Sequence, residues 1–84
     1  MTKTKYDNMA LYVKLEINRL MKCICICERW APSNHNLFTF NLTFSELNLE
    51  VDLRVDFNEF KNAEEIITAI IREVKNKINE KIMV

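Results

Sequence analysis

Two groups of residues in this chain have types and spacings that could do chemistry. The first is Cys23, Cys25 and Cys27, which with His35 would supply the donor types of a zinc site. Alternate residues on a strand stand about 6.5 to 7 Å apart, too far for three thiolates to share one ion without a sharp bend. The alternation predicts instead that the cysteines pack as small apolar side chains on one sheet face. Three cysteines within five residues are also no disulfide framework, so reduced thiols are expected. His35 is the only histidine and sits in a polar tract, with no serine or cysteine nucleophile at a recognisable spacing. The expectation is a solvated residue rather than a general base.

The second group is acidic. Glu50, Asp52 and Asp56 share one face of a strand pattern, with Arg54 among them and Glu46 just before. From Glu46 to Glu65 seven acidic residues face only Arg54 and Lys61, whereas both flanks of this stretch are basic. No second acidic element converges on the row, so a carboxylate pair or metal site is not indicated. A row of carboxylates on a rigid strand can either be a wet sheet face or meet a basic partner, imitating a phosphate backbone toward a nucleic-acid-binding protein.

The element that positions this row is a hairpin over residues 37–57. Phe38, Phe40, Leu42 and Phe44 alternate with Thr39, Asn41 and Thr43. Leu47, Leu49, Val51, Leu53, Val55 and Phe57 then alternate with polar residues in the opposite parity. The parity switch requires an even loop, Ser45-Glu46 or Ser45 to Asn48. The longer loop is preferred because Asn48 tolerates the left-handed region. An isolated two-stranded ribbon is marginal in water, so the rest of the chain must cover its apolar face.

Two covers are legible. Asn62 and Glu65 form a capping-box pattern ahead of the stripe Ala63, Ile66, Ile67, Ile70, Ile71, Val74, Ile78 and Ile82, which predicts a C-terminal helix. Tyr6, Met9, Ala10, Val13, Ile17, Leu20, Met21 and Ile24 fall within about 120° of a helical wheel and predict an N-terminal helix. A strand over Leu11 to Ile17 is the competing pattern. Met1 to Lys5 reads as a frayed end. The tract Cys23 to Trp30 reads as a third strand or as a continuation of the first helix, and Ala31 to Asn36 as a surface loop. The expected fold is a single α+β domain over residues 1–84: N-terminal helix, antiparallel sheet of two or three strands, C-terminal helix. A four-stranded meander plus C-terminal helix is the alternative.

The expected α-β-β-β-α order resembles that of double-stranded-RNA-binding domains, in the order of elements alone. That family's basic start to its last helix is replaced here by Asn62, Ala63, Glu64 and Glu65, which would repel a phosphate backbone. Small RNA-cleaving toxins with a helix-sheet-helix plan place glycine beside their histidine on a strongly basic surface, and Ser33-Asn34-His35-Asn36 has no glycine.

The 84 residues carry twelve basic and twelve acidic side chains, so bulk charge draws the chain to neither nucleic acid nor membrane. With no glycine at all, phosphate-cradling loops are excluded. No apolar run approaches the roughly 20 residues of a membrane span, and a cytoplasmic location is expected. The heavy use of Ile, Asn and Lys fits an AT-rich genome such as that of a low-GC bacterium, its phage or another virus. By elimination, a small non-catalytic protein-binding module is expected, such as an inhibitor or accessory protein of a phage or other mobile element, with no cofactor. Its partner-binding residues would be Glu50, Asp52, Asp56 and Glu46. A second apolar stripe, Leu11, Tyr12 and Leu15 with Trp30 near its end, would support a homodimer. A nucleic-acid-binding module using the basic flanks is the second reading, and a small enzyme using His35 the third.

Overall fold

The first helix is set by Tyr6, Ala10, Val13 and Ile17, which recur at helical spacing and are the buried residues of α1 (Lys3–Met21). The computed structural model describes residues 3–82. Met1 and Thr2, part of the tract expected to fray, lie outside the described residues, and Lys3 to Lys5 are already helical. Leu20 and Ile24 do not join the helix's buried stripe. Leu20 lies at the rim of the stripe in the last turn and is exposed, and Ile24 has passed into a strand. The helix ends at Lys22, whose φ of 51° is left-handed. Glycine would take this position without strain, but the chain has none.

Beyond that turn, Cys23 and Cys25 are buried and Cys27 half-buried, while Ile24 and Ile26 between them are exposed. The tract is therefore a strand, β1 (Ile24–Ala31), and not a continued helix. It pairs antiparallel with β2 (Asn34–Phe44), which pairs antiparallel with β3 (Leu49–Asp56), in sheet order β1-β2-β3. The expected loop of six residues shrinks to Pro32 and Ser33. Ala31 pairs with Asn34, and strand pairing overrides the turn preference of Asn34 and Asn36. Asn36 is accommodated by donating its side-chain amide to Asp56 Oδ1 at 2.6 Å.

Phe44 pairs with Leu49, so Ser45 to Asn48 is the connecting loop, the longer of the two even loops that the parity allows. It begins as a 3-10 turn, Ser45–Leu47, and closes on Asn48 at φ 49°, with the Asn48 N–H donating to Ser45 O at 3.2 Å. Leu47, expected in the apolar row, belongs to this turn and is exposed.

The rest of the parity holds. Phe38, Phe40, Leu42, Phe44, Val51, Val55 and Phe57 are buried on one side of the sheet, with Leu49 and Leu53 partly so. The Phe57 ring lies 4.7 Å from Phe38 and 6.2 Å from Phe40, closing the end of this core. The cover is α1 together with α2 (Ala63–Ile82), whose Ile66, Ile67, Ile70 and Val74 are buried. The Ile82 side chain lies outside the described residues. Asn62 Oδ1 accepts from the Glu65 N–H at 2.9 Å, and Glu65 Oε1 reaches back to the Lys61 N–H at 3.0 Å, one residue earlier than in the standard capping box. Tyr6 of α1 donates to Asn58 Oδ1 at 2.5 Å, and Arg29 of β1 reaches Asp7 of α1 at 2.5 Å while lying over the Phe38 ring, so the start of α1 is tied to both edges of the sheet at one of its ends. The fold is α+β, with two helices on one face of a three-stranded antiparallel sheet. Among the described residues no helix is long and apolar enough to cross a membrane.

Candidate interaction surface

Because both helices pack on one face, the other face of the sheet has no cover among the described residues. Its rows follow from the register: Ile24, Thr43 and Glu50; then Ile26, Asn41 and Asp52; then Glu28, Thr39 and Arg54. The β1 column is apolar apart from Glu28, with Ile24 57%, Ile26 49% and Trp30 47% exposed. The β3 column is charged. Two inter-strand spacings, about 10 Å, separate the columns.

Of the acidic residues singled out by sequence, the structure brings Glu50 and Asp52 together. The Asn41 amide nitrogen donates to Glu50 Oε1 at 2.6 Å and to Asp52 Oδ1 at 2.7 Å, and Asn41 Oδ1 accepts from Thr43 Oγ1 at 3.3 Å. One amide thus holds two carboxylates side by side, which offsets part of their repulsion and fixes their direction.

Asp56 has a different task. Its Oδ1 accepts from Asn36 and from the Asn58 N–H at 2.9 Å, capping the 3-10 turn Phe57–Glu59. Glu46 leaves the row altogether and lines a separate cleft at the sheet's end with Met21, Lys22 and Ile78. Arg54 does not pair with its acidic neighbours, since its guanidinium lies 4.3 Å from the Trp30 ring centroid.

Trp30 is therefore across the sheet from the stripe it was expected to extend. Leu11 and Leu15 are 54% and 55% exposed on the outer side of α1, whereas Trp30 stands on the uncovered sheet face. Tyr12 turns toward the second helix, where its hydroxyl donates to Glu64 Oε1 at 3.4 Å, and the Glu64 carboxylate raises its phenol above the ordinary value.

The thiols line the core. Burial pushes Cys23 up, Cys25 to about 11 and Cys27 to about 12, so each is a neutral apolar group at physiological pH. His35 is exposed on β2, where its backbone carbonyl accepts from Arg29 at 3.3 Å. Among the described residues no three His, Cys, Asp or Glu side chains are grouped to hold a metal.

Sequence reasoning missed Asn41 as the clamp and Ile24 and Ile26 as exposed surface. The second signal was present, because the isoleucines alternate with the buried cysteines and must face away from them. A cleft of about 370 Å³ between β3 and α2, floored by Leu53, Phe60 and Ala69, was not legible. Compared with protein-family models, with curated proteins and with solved structures, the chain matches none.

Proposed function

We propose that this protein is a non-catalytic protein-binding module whose uncovered sheet face holds a basic segment of another protein, as an inhibitor or accessory protein would. The observation that supports this is the Asn41 clamp on Glu50 and Asp52, set between the apolar column of β1 and the edge of the sheet. Carboxylates already oriented by a neighbour lose little freedom on meeting a cation, and pre-organisation of this kind lowers the cost of association. Attraction to a basic surface speeds encounter and weakens as salt screens it, over a length of about 10 Å at 0.1 M. A nucleic-acid partner fits poorly, because the exposed carboxylates would face its phosphates.

The test compares wild type with Glu50→Lys/Asp52→Lys, both immobilised and shown by circular dichroism to be folded. Basic proteins retained by wild type at low salt, released as salt rises, and lost on the variant support the reading. The same proteins on both matrices contradict it.

A second reading is favoured by the exposure of Leu11 and Leu15, which form an apolar strip on the outer side of α1 suited to a homodimer. Light scattering distinguishes it. A dimer that Leu11→Glu/Leu15→Glu converts to a monomer supports it, and a monomer at high micromolar concentration contradicts it.

A further inference from the structure

The sheet ends at β3, so alternate residues of that strand turn their N–H and C=O groups toward solvent, an unfilled template for another strand. On the helix side of the same edge α2 does not close down fully. Leu53 lies between the buried Val51 and Val55 yet is only half-buried, and Phe60 and Ala69 beside it are half-buried too. These three floor the cleft of about 370 Å³, whose mouth carries Asp52, Asp56, Glu59 and Glu73 against Arg54 and Lys77. A strand-binding edge, an apolar slot beneath it and an excess of carboxylates around it occur in one place.

We infer that the edge of β3 takes up an extended segment of a protein partner as a fourth strand, with alternating basic and apolar side chains. This rests on the function proposed above and specifies the mode of binding. An added strand lies about 4.8 Å from β3, and its side chains alternate between the two faces of the sheet. Those facing the helices enter the slot over Leu53 and Ala69, where only apolar groups avoid a desolvation cost. Those facing the other way stand opposite Glu50 and Asp52, at a cross-strand separation of about 5 Å, where lysine or arginine is attracted and a carboxylate repelled. Main-chain pairing supplies affinity, and the alternation supplies specificity, the division of labour of strand addition. A segment paired to β1 would lie about 14 Å from β3, out of reach of both features.

The probe is a synthetic ten-residue peptide of alternating lysine and valine, titrated into the full chain and followed by calorimetry. Two further peptides carry N-methyl groups on all lysines or on all valines. In an edge ladder only one of these sets of amides faces the protein, so one methylated peptide binds and the other does not. Ala69→Phe, which fills the slot from its half-buried position on α2, is expected to weaken binding of the unmodified peptide at least about tenfold with the circular dichroism spectrum unchanged. Equal binding of the two methylated peptides, or an unaltered Kd in Ala69→Phe, overturns strand addition. The proposed function survives that result if Glu50→Lys/Asp52→Lys still abolishes binding, and falls if that variant binds as wild type does. A doubled mass in light scattering that Ala69→Phe returns to monomer would show the slot filled by a second copy, and would also overturn the inference.

Discussion

The guanidinium of Arg54 lies 4.3 Å from the centroid of the Trp30 ring, so the two edge strands of the sheet touch each other across β2. This contact withdraws Arg54 from the acidic row and leaves Glu50 and Asp52 without a cationic neighbour on their own strand. Trp30, the only tryptophan in the chain, thereby becomes an optical reporter of the uncovered face. Arg54→Ala should alter its emission while costing only about 0.5–1 kcal/mol, as expected for an exposed cation–π pair. An unchanged spectrum would show that the two side chains do not meet in solution.

The cost of substitution should differ sharply between the two sheet faces. Phe40 is fully buried beside Phe57, and Phe40→Ala should lose about 3–5 kcal/mol in a urea titration. Asn41→Ala, one residue away on the uncovered face, should lose about 1 kcal/mol through its two hydrogen bonds to exposed carboxylates. Comparable losses would contradict the register.

Among the described residues two occupy the left-handed region, Lys22 at φ 51° and Asn48 at φ 49°, in a chain without glycine. Lys22→Gly should stabilise the fold by up to about 1 kcal/mol, because a side chain with a Cβ is strained there. Asn48→Gly should gain less, since asparagine tolerates this conformation. A lower midpoint for Lys22→Gly would count against the helix end described above.

The buried thiols predict a pH dependence with a definite sign. Burial raises Cys25 to about 11 and Cys27 to about 12 from an ordinary 9.0. Above about pH 9 the unfolded chain therefore sheds thiol protons that the folded chain retains, and stability falls as pH rises toward those values. Below pH 9 both states keep the protons and the effect vanishes. Native protein at pH 8 should react slowly with a thiol reagent at all three cysteines and rapidly once unfolded. Fast native reaction would contradict their place in the core.

The hairpin and both helices were legible because each rests on periodic apolar residues, which burial enforces, and the four-residue loop because that parity demands an even count and Asn48 tolerates the left-handed region. The short turn at Pro32-Ser33 was not, because Asn34 and Asn36 have turn preferences that pairing with Ala31 and a bond to Asp56 override. The acidic row was half legible. Parity placed Glu50, Asp52 and Asp56 on one face, but the division of labour depends on neighbours distant in sequence, Asn41 for the first two and Asn36 for the third. Trp30 was misassigned with Leu11 and Leu15 because the position of a strand relative to a helix's outer side is set by packing, which periodicity does not encode.

The claim that the uncovered face and its β3 edge form the contact surface is tested most directly by amide chemical-shift mapping on isotope-labelled protein as the lysine–valine peptide is added. The account predicts shifts along residues 37–43 and 49–56 and at the Trp30 indole, with Glu50 and Asp52 among the largest and α1 unaffected. Shifts confined to the surroundings of Leu11 and Leu15 would contradict it and place the interface on the outer side of the first helix.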